Sequence, residues 1–243
     1  MKVPFNIEFS LKRSIRAIAT AVCAVVLTSG AAFAQDGAGE TESKLMVGFK
    51  AGFNLADIRI GADTEYWQGQ EGAGKNFGPQ IHAFGRYNFT KWVGAELELG
   101  WTQNAFTTFT DKTTTYRTNN FQANALLNVR IPVLSVYHPR IYIGPSYNYN
   151  AYTYSRTTSN VYGYNVDQTY DVTNSFAPHD IGAIVGLGLQ FDVKFATLLV
   201  DARYRHGFSK SVRRAGDITS VTPLVRQASF SDVAFMVGLG FGL

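Results

Sequence analysis

Val93-Gly94-Ala95-Glu96-Leu97-Glu98-Leu99-Gly100-Trp101 alternates strictly between two kinds of side chain. In a β-strand successive side chains point to opposite faces. Val93, Ala95, Leu97, Leu99 and Trp101 therefore share one face. Gly94, Glu96, Glu98, Gly100 and Thr102 share the other. One face is apolar throughout, and the other carries two carboxylates among glycines. Carboxylates are very costly to bury without partners, so the surroundings of each face decide the fold.

The same period recurs on both sides of this run. Upstream, Leu45, Val47, Phe49, Ala51, Phe53 and Leu55 alternate with Met46, Gly48, Lys50, Gly52 and Asn54. Phe77 to Phe89 repeats the pattern with lapses and places Arg86 on the polar side. Downstream, Phe121 to Ile131 sets Leu127 and Val129 against Asn128 and Arg130. A Tyr- and Asn-rich run from Ile141 to about Tyr152 has a less distinct apolar side. Ile181 to Phe191 alternates with Gly182, Gly186, Gly188 and Gln190. Ala196 to Tyr204 alternates with Asp201, Arg203 and Arg205, and Val233 to Leu243 alternates with glycines.

The connections alternate in length. Residues 56–75, 105–117, 153–176 and 208–228 are long and polar, whereas 90–91, 132–139 and 192–194 are short. Long loops at one end, short turns at the other and an even strand count are the pattern of bacterial outer-membrane barrels. Each run also has about the 9–11 residues of a tilted membrane-crossing strand. The expected fold is all-β: an eight-stranded antiparallel up-and-down transmembrane β-barrel over 44–243, with both termini in the periplasm. A soluble small barrel needs bulky apolar side chains inside, and the eight charges Lys50, Arg86, Glu96, Glu98, Arg130, Asp201, Arg203 and Arg205 do not suit that interior. A soluble sheet showing this face to water is the alternative.

The N-terminus agrees with export. Lys2, Lys12, Arg13 and Arg16 precede an apolar core from Ile18 to Leu27, and Ala32-Phe33-Ala34 offers a cleavage site before Gln35. These features predict a signal peptide over 1–34, followed by a short periplasmic segment over 35–43. The only cysteine, Cys23, falls in the leader, which excludes a disulfide framework in the mature chain. The leader holds four of the 22 Lys/Arg and one of the 18 Asp/Glu, which leaves a mature chain with 18 basic and 17 acidic residues. That balance argues against a nucleic-acid partner. No mature segment is long and apolar enough for a transmembrane helix. An exported chain then crosses lipid only as a closed barrel, because each backbone N–H and C=O must be paired.

Several segments carry a resemblance. Val47-Gly48-Phe49-Lys50-Ala51-Gly52-Phe53-Asn54-Leu55, Phe77-Gly78-Pro79-Gln80 and Ala95-Glu96-Leu97-Glu98-Leu99-Gly100-Trp101 are three. Val129-Arg130-Ile131-Pro132, Ile141-Tyr142-Ile143-Gly144-Pro145-Ser146 and Asp201-Ala202-Arg203-Tyr204-Arg205-His206-Gly207 are three more. Together they resemble the eight-stranded outer-membrane β-barrel family common in Bacteroidetes, which includes PorT-like proteins. OmpA/OmpX-type barrels are similar in architecture. The terminal series Val237, Leu239, Phe241 and Leu243 resembles the C-terminal signal that the barrel-insertion machinery reads, although family barrels most often end in Phe. The resemblance implies an outer-membrane location and, on one branch, a role in secretion.

The polar face is the most specific chemical feature. An eight-stranded interior is just wide enough for side chains to fill. The expected lumen is therefore a self-neutralising plug, with Lys50, Arg86 and Arg130 pairing with Glu96 and Glu98, and Asp201 pairing with Arg203 or Arg205. A narrow channel is the alternative. A lipid-modifying enzyme is another, with His179 or His206 as base near Ser175 or Ser209, since acyl transfer needs base and nucleophile within hydrogen-bond reach. His82 is expected in the lumen and His138 in a short turn. Neither a catalytic set nor a metal or cofactor motif stands out. Tyr87, Phe89, Trp92 and Trp101 suit aromatic girdles. Arg213, Arg214 and Arg226 suit contact with lipopolysaccharide, and the long loops suit cell-surface or secretion partners. The expected function is a non-enzymatic outer-membrane barrel, structural or interaction-bearing.

Overall fold

A computed structural model describes residues 44–60, 73–109, 113–131, 137–161, 164–193, 195–209 and 228–243. The expected leader, the 35–43 segment and Arg213, Arg214 and Arg226 lie outside the described residues. The strands are β1 (Leu45–Ile60), β2 (Ala73–Asn88), β3 (Val93–Phe109), β4 (Thr113–Arg130), β5 (Tyr137–Val161), β6 (Tyr164–Asp171), β7 (His179–Val193), β8 (Ala196–Gly207) and β9 (Ala228–Gly242). Antiparallel neighbours run β4-β3-β2-β1-β9-β8-β7-β5, and a β4–β5 pairing closes the ring. The result is a closed barrel of eight antiparallel strands.

β6 is outside that ring. It pairs with the far part of β5, from Tyr154↔Asp171 to Val161↔Tyr164. These residues fall in the segment 153–176 expected as a polar loop, and most of it is strand instead. Val166 to Asp171 are all exposed, so β6 has no buried face to impose alternating hydrophobicity. Its Tyr, Val and Thr nonetheless favour strand. Other boundaries move as well. β3 runs to Phe109 and β4 starts at Thr113, so the expected 105–117 loop is mostly a strand hairpin. His138, expected in a turn, is a buried residue of β5.

Burial is inverted relative to a soluble protein. Leu97 and Leu99 are 65% and 66% exposed, while Glu96 and Glu98 between them are 1% and 0% exposed. Phe53, Ile81, Phe121, Ile143, Leu187, Phe235 and Val237 are likewise exposed on the outer wall. That exposed apolar surface is far larger than a soluble monomer leaves in contiguous patches. It is the face expected to meet lipid.

Aromatic residues mark the two rims. Tyr87, Phe89, Trp92 and Phe195 are exposed near the short-turn end. Phe53, Phe77, Phe121, Tyr149 and Phe208 are exposed toward the hairpin end. From Trp92 to Trp101 the chain advances nine residues. At a rise of about 3.3 Å and a tilt of about 40°, that spans about 23 Å of height, close to the apolar band of about 25 Å in such barrels. β3, β4 and β5 continue past this band and, with β6, form a hydrogen-bonded sheet beyond it.

One bulge keeps the lumen face consistent. Asn119 pairs with Tyr152 and Asn120 with Asn150, leaving Ala151 as an extra residue in β5. Before it Ser146, Asn148 and Asn150 face inward, and after it Thr153 and Ser155 do. An extra residue shifts the side-chain alternation by one. This change of parity, together with tyrosines on both faces, is why the apolar side of the fifth run was indistinct in sequence.

Candidate functional site

The lumen is the most structured candidate site. At its centre Lys50 of β1 reaches two carboxylates of β3 and one of β8. Its Nζ lies 2.5 Å from Glu96 Oε1, 2.7 Å from Glu98 Oε1 and 3.2 Å from Asp201 Oδ2. Arg86 of β2 donates to Glu96 Oε2 (2.7 Å) and to Gln190 Oε1 of β7 (2.9 Å). Arg203 of β8 donates to Glu98 Oε2 (2.7 Å) and Gln80 Oε1 (3.0 Å). Arg140 of β5 grips both oxygens of Asp201 and lies 3.4 Å from Glu96. Apart from Arg86 and Glu96, which face each other on the adjacent strands β2 and β3, these pairs join walls that are not neighbours in the sheet. The interior is thereby bridged across its width.

A second charge layer lies nearer the hairpin end. Arg205 donates to Asp180 and lies 3.8 Å from Asp232. Across both layers five cations (Lys50, Arg86, Arg140, Arg203, Arg205) face five carboxylates (Glu96, Glu98, Asp180, Asp201, Asp232). The balance holds over the two layers together and not within each. The central layer holds four cations and three carboxylates.

Neutral groups fill the remaining space. Thr102 donates to Gln122 (2.7 Å), Gln122 donates to Asn124 and Ser146 (3.1 Å each), and Asn124 donates to Glu98 (2.8 Å). His82 Nε2 lies 3.2 Å from Thr102 Oγ1 and 3.3 Å from Arg203 Nη2. Rings line the cations: Lys50 Nζ stands 5.0 Å from the Phe84 centroid, and the Arg140 guanidinium 5.3 Å from that of Tyr142. Glycine makes this possible at two positions of β7. A Cβ on Gly186 would collide with the Tyr142 ring, and one on Gly188 with Asp201 and Arg140.

The hairpin-end mouth is closed by aromatic rings. Phe106 of β3, Phe176 and Phe230 of β9 form a buried cluster, with Tyr116 and Val172 packed against it. Phe106 and Tyr116 stack at 4.8 Å. Phe176 is delivered by the segment between β6 and β7, which is fastened by Val172 N to Thr153 O (3.0 Å) and Asn150 N to Pro178 O (2.8 Å).

Seven of the eight charged residues singled out in sequence lie buried in this lumen: Lys50, Arg86, Glu96, Glu98, Asp201, Arg203 and Arg205. Arg130 does not join them. It sits at the end of β4, where the lumen opens, and its guanidinium donates to the Lys91 carbonyl (3.0 and 2.9 Å). The partner of Asp201 is also corrected, from Arg203 or Arg205 to Arg140 and Lys50. Asp201, Arg203 and Arg205 lie two apart along one strand, so they side-by-side line the wall rather than bridge it. Arg140, Asp180 and Asp232 were not among the sequence candidates.

His179 is on the outer wall, and its Nδ1 pairs with the Tyr147 hydroxyl (2.6 Å). His206 Nδ1 lies 3.4 Å from the Tyr204 hydroxyl. Ser209 Oγ accepts from the Ile181 backbone N–H (3.0 Å). His138 Nε2 lies 3.3 Å from Asp192. Among the described residues no group of three or more His, Cys, Asp or Glu is placed to hold a metal ion. In the C-terminal series Val237 and Leu239 are exposed on the outer wall, and the Leu243 N–H donates to the Leu45 carbonyl (2.8 Å). On the projecting sheet, Arg156 of β5 hydrogen-bonds Asp167 of β6, which holds that carboxyl below its ordinary value.

The profile of a family described as outer membrane protein beta-barrel domain matches residues 33–213. No curated protein matches in sequence. Among solved structures, Ail of Yersinia pestis is 12% identical, with 83% of this chain and 100% of that one covered and a TM-score of 0.41. Neisserial surface protein A is 16% identical, with 84% and 100% covered and a TM-score of 0.43. OprG of Pseudomonas aeruginosa is 13% identical, with 82% and 96% covered and a TM-score of 0.46. Likenesses this distant carry no argument about what this chain does.

Proposed function

Because the chain belongs to the outer membrane protein β-barrel domain family, we propose that it is a non-enzymatic barrel of the bacterial outer membrane. In this reading its sealed lumen is a structural plug, and its function lies in a rigid sheet presented outside the cell. The carrying observation is the pairing of β3, β4, β5 and β6 beyond the apolar band. Loops and projections on a rigid scaffold are where binding commonly resides. Among the described residues β6 is paired on one side only, and exposed edges of this kind accept partner strands.

Short turns and both termini face the periplasm in this reading, as in other bacterial barrels. Lipid and lipopolysaccharide surround the outer wall, and the insertion machinery reads Val237, Leu239, Phe241 and Leu243. Cell-surface or secretion partners would meet the projecting sheet. The PorT-like subtype rests on the sequence motifs alone.

Orientation is tested by single cysteines and a membrane-impermeant maleimide on intact cells. Gln168→Cys is expected to label at once, and Thr90→Cys only after permeabilisation. The reverse pattern would overturn the reading. The seal is tested in planar bilayers, where the purified barrel is expected to show no stable conductance. Steady ohmic steps would replace the plug with the narrow channel.

A further inference from the structure

At the short-turn end the lumen narrows into a pocket lined by Arg86, Lys91, Arg130 and Arg140, with Asn88, Thr90, Trp92, Asn128 and Gln190 around them. Among the described residues four cations line it and no carboxylate does. The nearest acids are already committed. Glu96 serves Arg86, Arg140 and Lys50, and Asp201 serves Arg140 and Lys50. Asp192 accepts from Gln190 (2.9 Å) and Thr197 (2.7 Å) and lies beside His138. The central layer already has one cation more than it has carboxylates, and Lys91 adds another at the mouth.

One buried guanidinium nitrogen sharpens the point. Arg86 and Arg140 are 3% and 2% exposed. Arg86 Nη2 is ion-paired 2.5 Å from Glu96 Oε2, whereas Arg140 Nε has no hydrogen-bond acceptor. A buried donor without an acceptor is costly, and more so when charged. Natural structures seldom leave such groups unless a water or an ion completes them.

We propose that this pocket binds a phosphate-class oxyanion. The rim fixes the chemistry. Trp92, 54% exposed, belongs to the aromatic girdle at this end, and such girdles lie at the headgroup level of a bilayer, where phosphate groups are concentrated. The space open to the centre of a water molecule is about 10 Å³, enough for about one oxygen atom. One phosphate oxygen therefore enters toward Arg86, and the rest of the group stays at the rim beside Lys91. Arginine guanidinium and lysine ammonium are the side chains suited to this geometry.

The test uses the full barrel refolded in zwitterionic micelles at constant ionic strength. Inorganic phosphate is titrated and followed by phosphorus-31 line broadening, with dihexanoyl phosphatidic acid as a second, lipid-borne probe. Saturable broadening is expected with phosphate, and exchanging the background salt for chloride at the same ionic strength is expected not to abolish it. Lys91→Glu, a rim change that leaves the strands intact, is expected to weaken binding at least tenfold, whereas Arg156→Gln on the projecting sheet leaves it unchanged. Arg130→Gln provides a second rim variant and is expected to weaken binding about threefold or more. Tighter binding of the lipid probe identifies a headgroup as the source, and equal binding identifies free phosphate. Absence of saturation with both probes, or equal binding by wild type and both rim variants, would overturn the proposal.

Discussion

Glu98→Ala is expected to destabilise the barrel by about 3–5 kcal/mol, the range for removing one partner of a buried ion pair. Glu98 accepts from Lys50, Arg203 and Asn124. Its loss leaves four central cations facing two carboxylates, with Arg203 held only by Gln80 and His82. Lys50→Met is the instructive contrast. It removes a bridge but leaves three cations and three carboxylates, so its cost should be smaller than that of Glu98→Ala. Glu98→Gln separates charge from volume: it keeps the size of the side chain, so a lumen that is merely filled predicts little change, whereas the ion pairs to Lys50 and Arg203 predict a clear loss. Urea unfolding in lipid bilayers, followed by gel mobility of the folded and unfolded forms, measures all three. The double variant Glu98→Gln, Arg203→Gln should cost less than the two single changes summed, because neighbours in one network are not additive.

On the outer wall the largest effect is expected at Leu97. Leu97→Arg places a cation near the middle of the apolar band, which costs about 2–4 kcal/mol at the midplane of a lipid-embedded barrel. The same change on the exposed face of a soluble sheet would be close to neutral. Thr169→Arg, on the projecting β6, is expected to change stability by less than about 0.5 kcal/mol. The two arginines thus report on depth as well as on face, and the same unfolding assay reads them.

The ring of eight strands was legible because its strands separate lipid from a polar interior. Glu96 and Glu98 between Val93, Leu97 and Leu99 state that separation within nine residues, and the short turns supply the connectivity. What escaped is where one of those conditions fails. β6 has water on both faces, so no alternation marks it. Arg140 follows Pro139 and falls between the turn read over 132–139 and the run read from Ile141, although Arg140, Tyr142 and Ser146 continue the inward series of β5. Arg130 has inward parity, but it lies where the lumen opens, and a long side chain there reaches a backbone carbonyl instead. Parity gives the face and not the depth. The cross-lumen partners of Asp201 were out of reach for a related reason. Strand pairing orders neighbours around the wall, whereas Lys50, Arg140 and Asp201 meet across it. Asp180 and Asp232 were legible as residue types, but the register of β7 and β9 against β8 is what brings them to Arg205.

The central claim is that this chain is inside out: apolar side chains toward lipid, and charge within. It is tested most directly by single cysteines at each position from Gly94 to Trp101, in a Cys23-free background, each carrying a spin label in lipid bilayers. Collision with dissolved oxygen, which concentrates in the hydrocarbon, is expected to alternate with period two. It should be high at positions 95, 97, 99 and 101 and low at 94, 96, 98 and 100. Uniform collision along the stretch, or maxima at the glutamate positions, would contradict the account.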